Sequence, residues 1–521
     1  MSNHGRSPLS AVRVPVLQSL ELPLPLELPL LLLLALAWLG AAAGLRPLSL
    51  PDEGRYVGVA WEMLRTGDWL IPTLDGLPFF HKPPLFYWIT AASLNFLGLN
   101  EWAARAAPML GGFIAASSLV LFSRRWAGVR TARWALLAFL AQPLVFGASQ
   151  FANLDMLVAG MITATVLAAA DGVLRREAGL PHAASVRAAW IFAALGVLSK
   201  GLIGIVIPGL VLGITLATTR RWSSIRPLLA PSGIAVFLLV SAPWFIAMER
   251  LHPGFLDYFF VEQQFRRYAG GGFNNMQPFW FYGALLGLAC LPWWPSVWRA
   301  VRADTGQGTA LALIRMLMIT WVTVTVVFFS APASKLVGYV LPALPPLAFL
   351  AATGFDDRQA ATGFPRTVWW VGHALMLLAG VAVVIAFAVH PGPSGRQIAQ
   401  ALREQRHAGE PVWMLDRYVY DVPFYARLEA PVRVVLDWTD PGVRRRDNWR
   451  KEMADAGRFA SPPARAALAL SRDFHVGLCA QSVNWVIASS DAAAQYPVLA
   501  RAPPIRDDGK LALWRVEAAR C

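Results

Sequence analysis

"VWWVGHALMLLAGVAVVIAFAV", Val368 to Val389, runs without an Asp, Glu, Lys or Arg and is long enough to cross a bilayer as a helix. Inside hydrocarbon the backbone must satisfy its own hydrogen bonds, so an unbroken apolar run of this length reads as a membrane span. Outward from it, similar stretches recur along the chain, giving about eleven candidate spans of roughly 18 residues or more. The shortest lie at 188–200 and 335–352. The first, "LPLLLLLALAWLGAAAGL" from Leu28, follows a weakly basic start (Arg6, Arg13) and is expected to be an uncleaved span rather than a signal peptide.

Composition agrees: 521 residues, 56% hydrophobic and only 15% charged, with a mean hydropathy of +0.47, exceed what a soluble globular chain carries. A net charge of +14 would point to nucleic acid in a soluble protein. Here most Arg and Lys fall between apolar segments, where they orient the chain, and no nucleic-acid partner is expected. Cys290, Cys479 and Cys521 have neither metal-site spacing nor the density of a disulfide framework, and only a Cys479–Cys521 bridge is conceivable.

Arg124, Arg125, Arg130 and Arg133 share one loop; Arg175, Arg176 and Arg187, then Arg220, Arg221 and Arg226, then Arg299, Arg302 and Arg315 mark others. By the positive-inside rule these loops are cytoplasmic. The opposite face then holds 46–104, the turns at Asp155, Lys200 and Lys335, and the stretch 249–277. Loop 46–104 has amphipathic patterns at about 53–66 and 84–97 that suit helices lying in the interface.

After His390, "PGPSGRQIAQALREQRHAGE" reads as a linker entering a polar helix, and "PVWML", "VRVVLDW", "VNWVIASS" and "LALWRV" read as strands. The expected organisation is a cytoplasmic segment 1–25, a helical membrane domain 26–390 and an outward α/β domain 391–521.

The unusual polar residues collect on the outward face. "LPDEGRYVGVAWEMLRTGDW" (Leu50 to Trp69) sets Asp52, Glu53 and Arg55 just past the end of a span, and "FFHKPPLFYW" (Phe79 to Trp88) adds His81 and Lys82 to the same loop. Acids in a first helical turn also complement the helix dipole, so a cap and a catalytic pair are both open readings. Asp155 in "SQFANLDMLVAGM" lies at the outer end of a span, where a bare carboxylate is expensive; capping by Asp155 or Asn153 is the alternative. Lys200 in "LSKGL" and Lys335 in "APASKLVGYVLPALPPL" stand alone in apolar turns, where snorkelling competes with function. Lys335 and Tyr339, four apart, are expected on one helical face. "YFFVEQQFRRYAGGGF" (Tyr258 to Phe273) ends its aromatic run in Arg266 and Arg267. Cations are normally kept off this face, so Arg55, Lys82, Arg267 and Lys335 together point to a shared anionic ligand, with Arg matching phosphate best. A lipid-linked phosphosugar beside carboxylates that deprotonate an acceptor accounts for the whole set.

The stretch "LPDEGRYVGVAWEMLRTGDWLIPTLDGLPFFHKPPLFYW" resembles the polyprenyl-phosphate-dependent glycosyltransferases of the GT-C class, which include the bacterial lipid A aminoarabinose transferases and the protein O-mannosyltransferases. The likeness continues in order through "LDMLVAGM", "GVLSKGLIGIVIP", "SAPWFIAM", "YFFVEQQFRRYA", "PFWFY" and "FFSAPASKLVGYVLP". It implies a sugar on undecaprenyl or a related polyprenyl phosphate, transferred with inversion to an envelope lipid such as lipid A, a glycan or a protein on the periplasmic face of the bacterial inner membrane. It implies Asp52 and Asp155 as the essential acids, Glu53 completing the acid pair, and Lys82, Arg55, Arg267 and Tyr339 near the lipid phosphate. Aminoarabinose transferases usually have Glu before the loop lysine and His in the Glu-His segment, a pair associated with zinc; here those places hold His81 and Gln264. Gln is a poor zinc ligand, so a divalent metal site is either lost or rebuilt around His81 and an acid. No nucleotide or redox cofactor is implied. A transporter or lipid-binding protein is the competing class, but transporters gather binding groups near the bilayer midplane, whereas these residues gather at one face.

Overall fold

The computed structural model describes residues 24–266, 275–303, 309–355, 366–445 and 447–518. Among them, seven helices are long and apolar enough to span a membrane, or eight if Val129–Leu140 and Pro143–Ser149, bent by 66°, form one broken span. The spans are α4 (Ala106–Trp126), α5 (Leu154–Glu177), α6 (Ala183–Lys200), α8 (Pro231–Leu251), α9 (Ala310–Ser330), the continuous stretch Val337–Gly354 that ends in α10 (Leu344–Gly354), and α11 (Arg366–Val389). The two shortest sequence candidates are thus both helical. Two further apolar runs make helices shorter than 18 residues, α1 (Leu24–Gly40) and α7 (Ile203–Thr218), as does the expected interfacial helix α3 (Leu85–Leu97), so the count of about eleven is not reached among the described residues. At 1.5 Å per residue, such helices fall short of a hydrocarbon core about 30 Å thick.

Burial separates the spans. The apolar window of α5 is 94% buried inside the protein, that of α11 only 22%, so the run that announced the membrane faces lipid while α5 is the central post. Small residues let α5 sit there. A Cβ on Gly160 would stand 2.2 Å from the Gly111 carbonyl oxygen of α4, so the two helices touch backbone to backbone.

The loop after α1 carries α2 (Asp52–Thr66) and α3, near the expected 53–66 and 84–97. Between them β1 (Thr73–Leu74) and β2 (Leu77–Pro78) form a hairpin whose turn residues Asp75 and Gly76 both have positive φ, 55° and 71°. Beyond α12 (Arg396–Gln405), all four expected strand runs are present: β3 (Val412–Leu415), β4 (Arg433–Val435), β6 (Val483–Ser489) and β8 (Leu511–Glu517). With β5 (Leu468–Ala469) and β7 (Arg506–Asp507) they make one sheet in the order β5-β4-β3-β6-β8-β7, parallel from β5 to β6 and antiparallel from β6 to β7.

The strand alternation decides how this sheet sits. Val412, Met414, Val434, Trp485 and Ile487 point one way and share a core with Tyr56, Val57 and Phe80 of the first loop. Trp413, Leu415, Val435, Val486 and Ala488 point the other way, onto the helix Ser471–Ala480. Both faces are therefore buried, as parallel sheets require, and the C-terminal region is fused to the first loop through a common core.

Candidate active site

Asp52 and Glu53 are adjacent in sequence and separated in role. α2 is preceded by Pro51 and has no side-chain cap, so neither acid serves as its N-cap. Glu53 is fully buried: its carboxylate meets Arg46, accepts from Arg105 Nε at 2.8 Å and Nη2 at 3.0 Å, and accepts the backbone N–H of Ser49 at 2.9 Å and of Ala152 at 2.7 Å. Burial pushes the carboxyl up, but the Arg105 and Arg46 guanidiniums outweigh it and hold it down to about 2. Glu53, expected to be catalytic, is walled off from the cavity and instead ties the first loop to α4 and the turn before α5. Asp52 turns the other way, its side chain one-third exposed, and lines a cavity of about 520 Å³.

Asp155 lines the same cavity. Asn153 takes the capping position of α5, accepting the Asp155 N–H at 3.1 Å, so the Asp155 carboxylate is left for the Lys200 ammonium, which it contacts directly. Lys200 Nζ also stands 4.4 Å from the centre of the Tyr339 ring, a cation–π contact, so this lysine is held in the cavity wall rather than snorkelling. Space for Asp155 comes from Gly338, where a Cβ would lie 2.1 Å from the Asp155 carboxylate. His81 and Lys82 complete this side of the wall.

The opposite wall comes from the C-terminal region, and this the sequence reading missed. Tyr418, Tyr420, Asp447, Asn448, Trp449 and Glu452 line the cavity, the last two from α13 (Trp449–Phe459). Arg55 spans between the walls: one end of its guanidinium contacts Asp52, three residues back on α2, and Nη1 donates to Glu452 at 2.9 Å. Burial disfavours its charge, yet Glu452 and Asp52 raise it well above the ordinary arginine range, so Arg55 stays protonated. Nothing local marks Glu452, which sits in a polar helical stretch like many surface glutamates. Arg105 was missable for the same reason, since it lies one residue past the loop as delimited from sequence.

The remaining expected residues fall elsewhere. Lys335 is 4% exposed and donates to the Gln277 carbonyl at 3.0 Å and to that of Pro332, tying together the two segments that meet at the Met276–Ser334 bridge, while its neighbours Ser334 and Leu336 line the cavity. It shares no helical face with Tyr339, because Val337–Ala343 is a tighter 3-10 turn that begins after Lys335. Gln264 packs against Gly201, outside the cavity lining. Arg267 and Cys521 lie outside the described residues, and Cys290 and Cys479 are free thiols. His81 Nε2 is 3.0 Å from the Tyr258 hydroxyl, and no three His, Cys, Asp or Glu side chains converge among the described residues. The donor set at His81 and Gln264 therefore does not fit a divalent metal.

Residues 51–259 match the dolichyl-phosphate-mannose-protein mannosyltransferase family. The chain is 32% identical over 356 residues to an undecaprenyl phosphate-alpha-4-amino-4-deoxy-L-arabinose arabinosyl transferase of Sodalis glossinidius, covering 66% of this chain and 61% of the relative. It is 33% identical over 324 residues to the enzyme of that name from Pseudomonas aeruginosa, covering 60% and 56%. The matches thus span about three fifths of the curated relatives' length. The crystal structure of ArnT from Cupriavidus metallidurans bound to undecaprenyl phosphate superposes with a TM-score of 0.78 at 24% identity over 94% of this chain and 98% of that one; the apo form gives 0.73 at 25% over the same shares.

Proposed function

We propose that this chain is a GT-C polyprenyl-phosphate-dependent glycosyltransferase of the aminoarabinose transferase type, moving a sugar from a polyprenyl-phosphate donor to a cell-envelope acceptor at the outer face of the cytoplasmic membrane. The observation that carries this reading is the single cavity in which Asp52, Asp155, Lys82, Lys200 and Tyr339 meet. The relatives' names supply the donor class, undecaprenyl phosphate carrying an aminoarabinose, and the acceptor is an envelope lipid such as lipid A, a glycan or a protein.

In this mechanism the Asp52 carboxylate takes the proton of the acceptor hydroxyl as its oxygen attacks the anomeric carbon. The bond from that carbon to the phosphate oxygen breaks on the opposite side, inverting the centre. The electron pair leaves on the lipid phosphate, whose charge Lys82 and Lys200 offset. Asp155 orients Lys200 through their ion pair, with the Tyr339 ring under the ammonium. Holding both lipids at one surface makes the encounter effectively intramolecular.

Asp52→Asn keeps the shape and removes the base. The purified protein in vesicles with labelled undecaprenyl-phosphate aminoarabinose and host envelope lipid is expected to lose about 10²–10⁴-fold in transfer rate on this change. Transfer at the wild-type rate would return Asp52 to a structural role and overturn the reading.

A further inference from the structure

Arg55 is one cation between two anions, and the two anions come from opposite ends of the chain. Asp52 is three residues away on α2; Glu452 is 397 residues away on α13. The contact is built on both sides. Glu452 is 8% exposed, and the oxygen that takes Arg55 Nη1 at 2.9 Å also accepts the Tyr420 hydroxyl at 3.0 Å. The Arg55 guanidinium lies 4.9 Å from the centre of the Tyr56 ring and 6.0 Å from that of Tyr420, so its plane is fixed by aromatics from both regions. The α2 backbone is pressed onto the same wall: a Cβ on Gly54 would stand 3.0 Å from the Asp421 backbone nitrogen and from the Tyr420 side chain.

We propose that Glu452 is a positioning residue of the transfer reaction: by holding Nη1 of Arg55 it fixes the orientation in which that arginine stands against Asp52. A guanidinium can offer a carboxylate two parallel N–H groups, Nε with Nη2 among them, and bidentate pairing is the stronger arrangement. With Nη1 anchored to Glu452, only Nη2 of Arg55 meets Asp52, and the buried Nε makes no hydrogen bond. The other Asp52 oxygen is then left for an acceptor proton. Without Glu452 the guanidinium is free to turn Nε and Nη2 together onto Asp52, occupying the oxygen that must work and shifting the carboxylate from its place. The inference rests on the transferase reading above, with Asp52 as base.

The test uses the full chain in vesicles with undecaprenyl-phosphate aminoarabinose and host envelope lipid. Glu452→Gln, which keeps size and gives up charge, is expected to lower kcat by about 10²-fold, the scale on which misplacement of a catalytic group acts, while KM for the donor changes less than about threefold. Glu452→Asp is expected to recover part of the rate. Binding of undecaprenyl phosphate alone, read by native mass spectrometry, should match wild type. Glu101→Gln supplies the control: it breaks a pair to Arg396 at 3.0 Å on the same interface outside the cavity, and kcat should hold. An unchanged kcat in Glu452→Gln overturns the proposal. So does an equal loss in Glu101→Gln, or a loss of undecaprenyl phosphate binding that parallels kcat, since either makes Glu452 a mere docking contact. If the wild-type protein transfers no label, both the transferase reading and this inference fall; if it transfers and Asp52→Asn does too, the assignment of the base fails first.

Discussion

The buried carboxylate of Glu53 is met by two guanidiniums, while its neighbour Asp52 faces the cavity. Sequence gives their proximity to the end of a span and to a helix start, but which of two neighbours faces a cavity depends on what comes to meet them. Arg105 and Arg46 come to meet Glu53, and both are remote from any motif. The consequence is measurable as stability. A buried carboxylate held down to about 2, against an ordinary 4.5, contributes stability that is present above its ordinary range and lost as pH falls toward 2. Glu53→Gln leaves two guanidiniums short of a counter-charge and is expected to cost about 3–5 kcal/mol, read as a lower Tm in detergent at neutral pH with a smaller further loss on acidification than wild type. Asp155 was more readable, since an acid inside an apolar run rarely lacks a partner; Lys200, equally isolated in sequence, is that partner.

At the scale of elements, apolar length located the long spans, and β-branched and aromatic runs located four strands. Of the roughly eleven spans counted from apolar length, seven or eight are matched by qualifying helices among the described residues, and the apolar runs at α1 and α7 form helices shorter than 18 residues. Helix contact was also invisible: nothing in "LDMLVAGM" says that its glycine meets another backbone. Gly160→Ala tests this. With a Cβ 2.2 Å from the Gly111 oxygen, α4 and α5 must part, and overpacking of this kind costs about 1–3 kcal/mol, checked by thermal unfolding. The hairpin at Asp75 and Gly76 was readable in principle, because Asp-Gly between short apolar pairs is a two-residue turn signal.

At the scale of the whole molecule, the C-terminal region was read as an outward appendage, and the structure builds it into the cavity wall. That could not be seen from the strands, whose alternation says that a face is covered but not by what. Its seam to the membrane part carries a titratable group. Asp421 is fully buried and accepts the Gly395 N–H at 2.9 and 3.0 Å and the Ser394 hydroxyl at 2.7 Å; burial, only partly opposed by these bonds, pushes it up to about 7. A carboxyl raised in the folded state contributes stability that is full below its ordinary value of 3.8 and is lost as pH rises through 7. Docking of the C-terminal region is therefore expected to loosen progressively as pH rises from about 4 to 7 and to change little above that, read as faster proteolysis within 391–411, and Asp421→Asn is expected to flatten that dependence.

The ion pair between Arg55 and Glu452 closes a gap of 397 residues. During synthesis at about 5–20 residues per second, α2 emerges roughly 20–80 s before the codon for Glu452 is read. From the addition of Lys200 onward a ribosome-bound chain has Asp52, Lys82, Asp155 and Lys200, yet still lacks the wall that Tyr418, Tyr420 and Glu452 supply. The cavity is in this sense closed last: until the C-terminal region is made these side chains line an open, wet groove, and on the reading proposed above transfer waits for the end of translation.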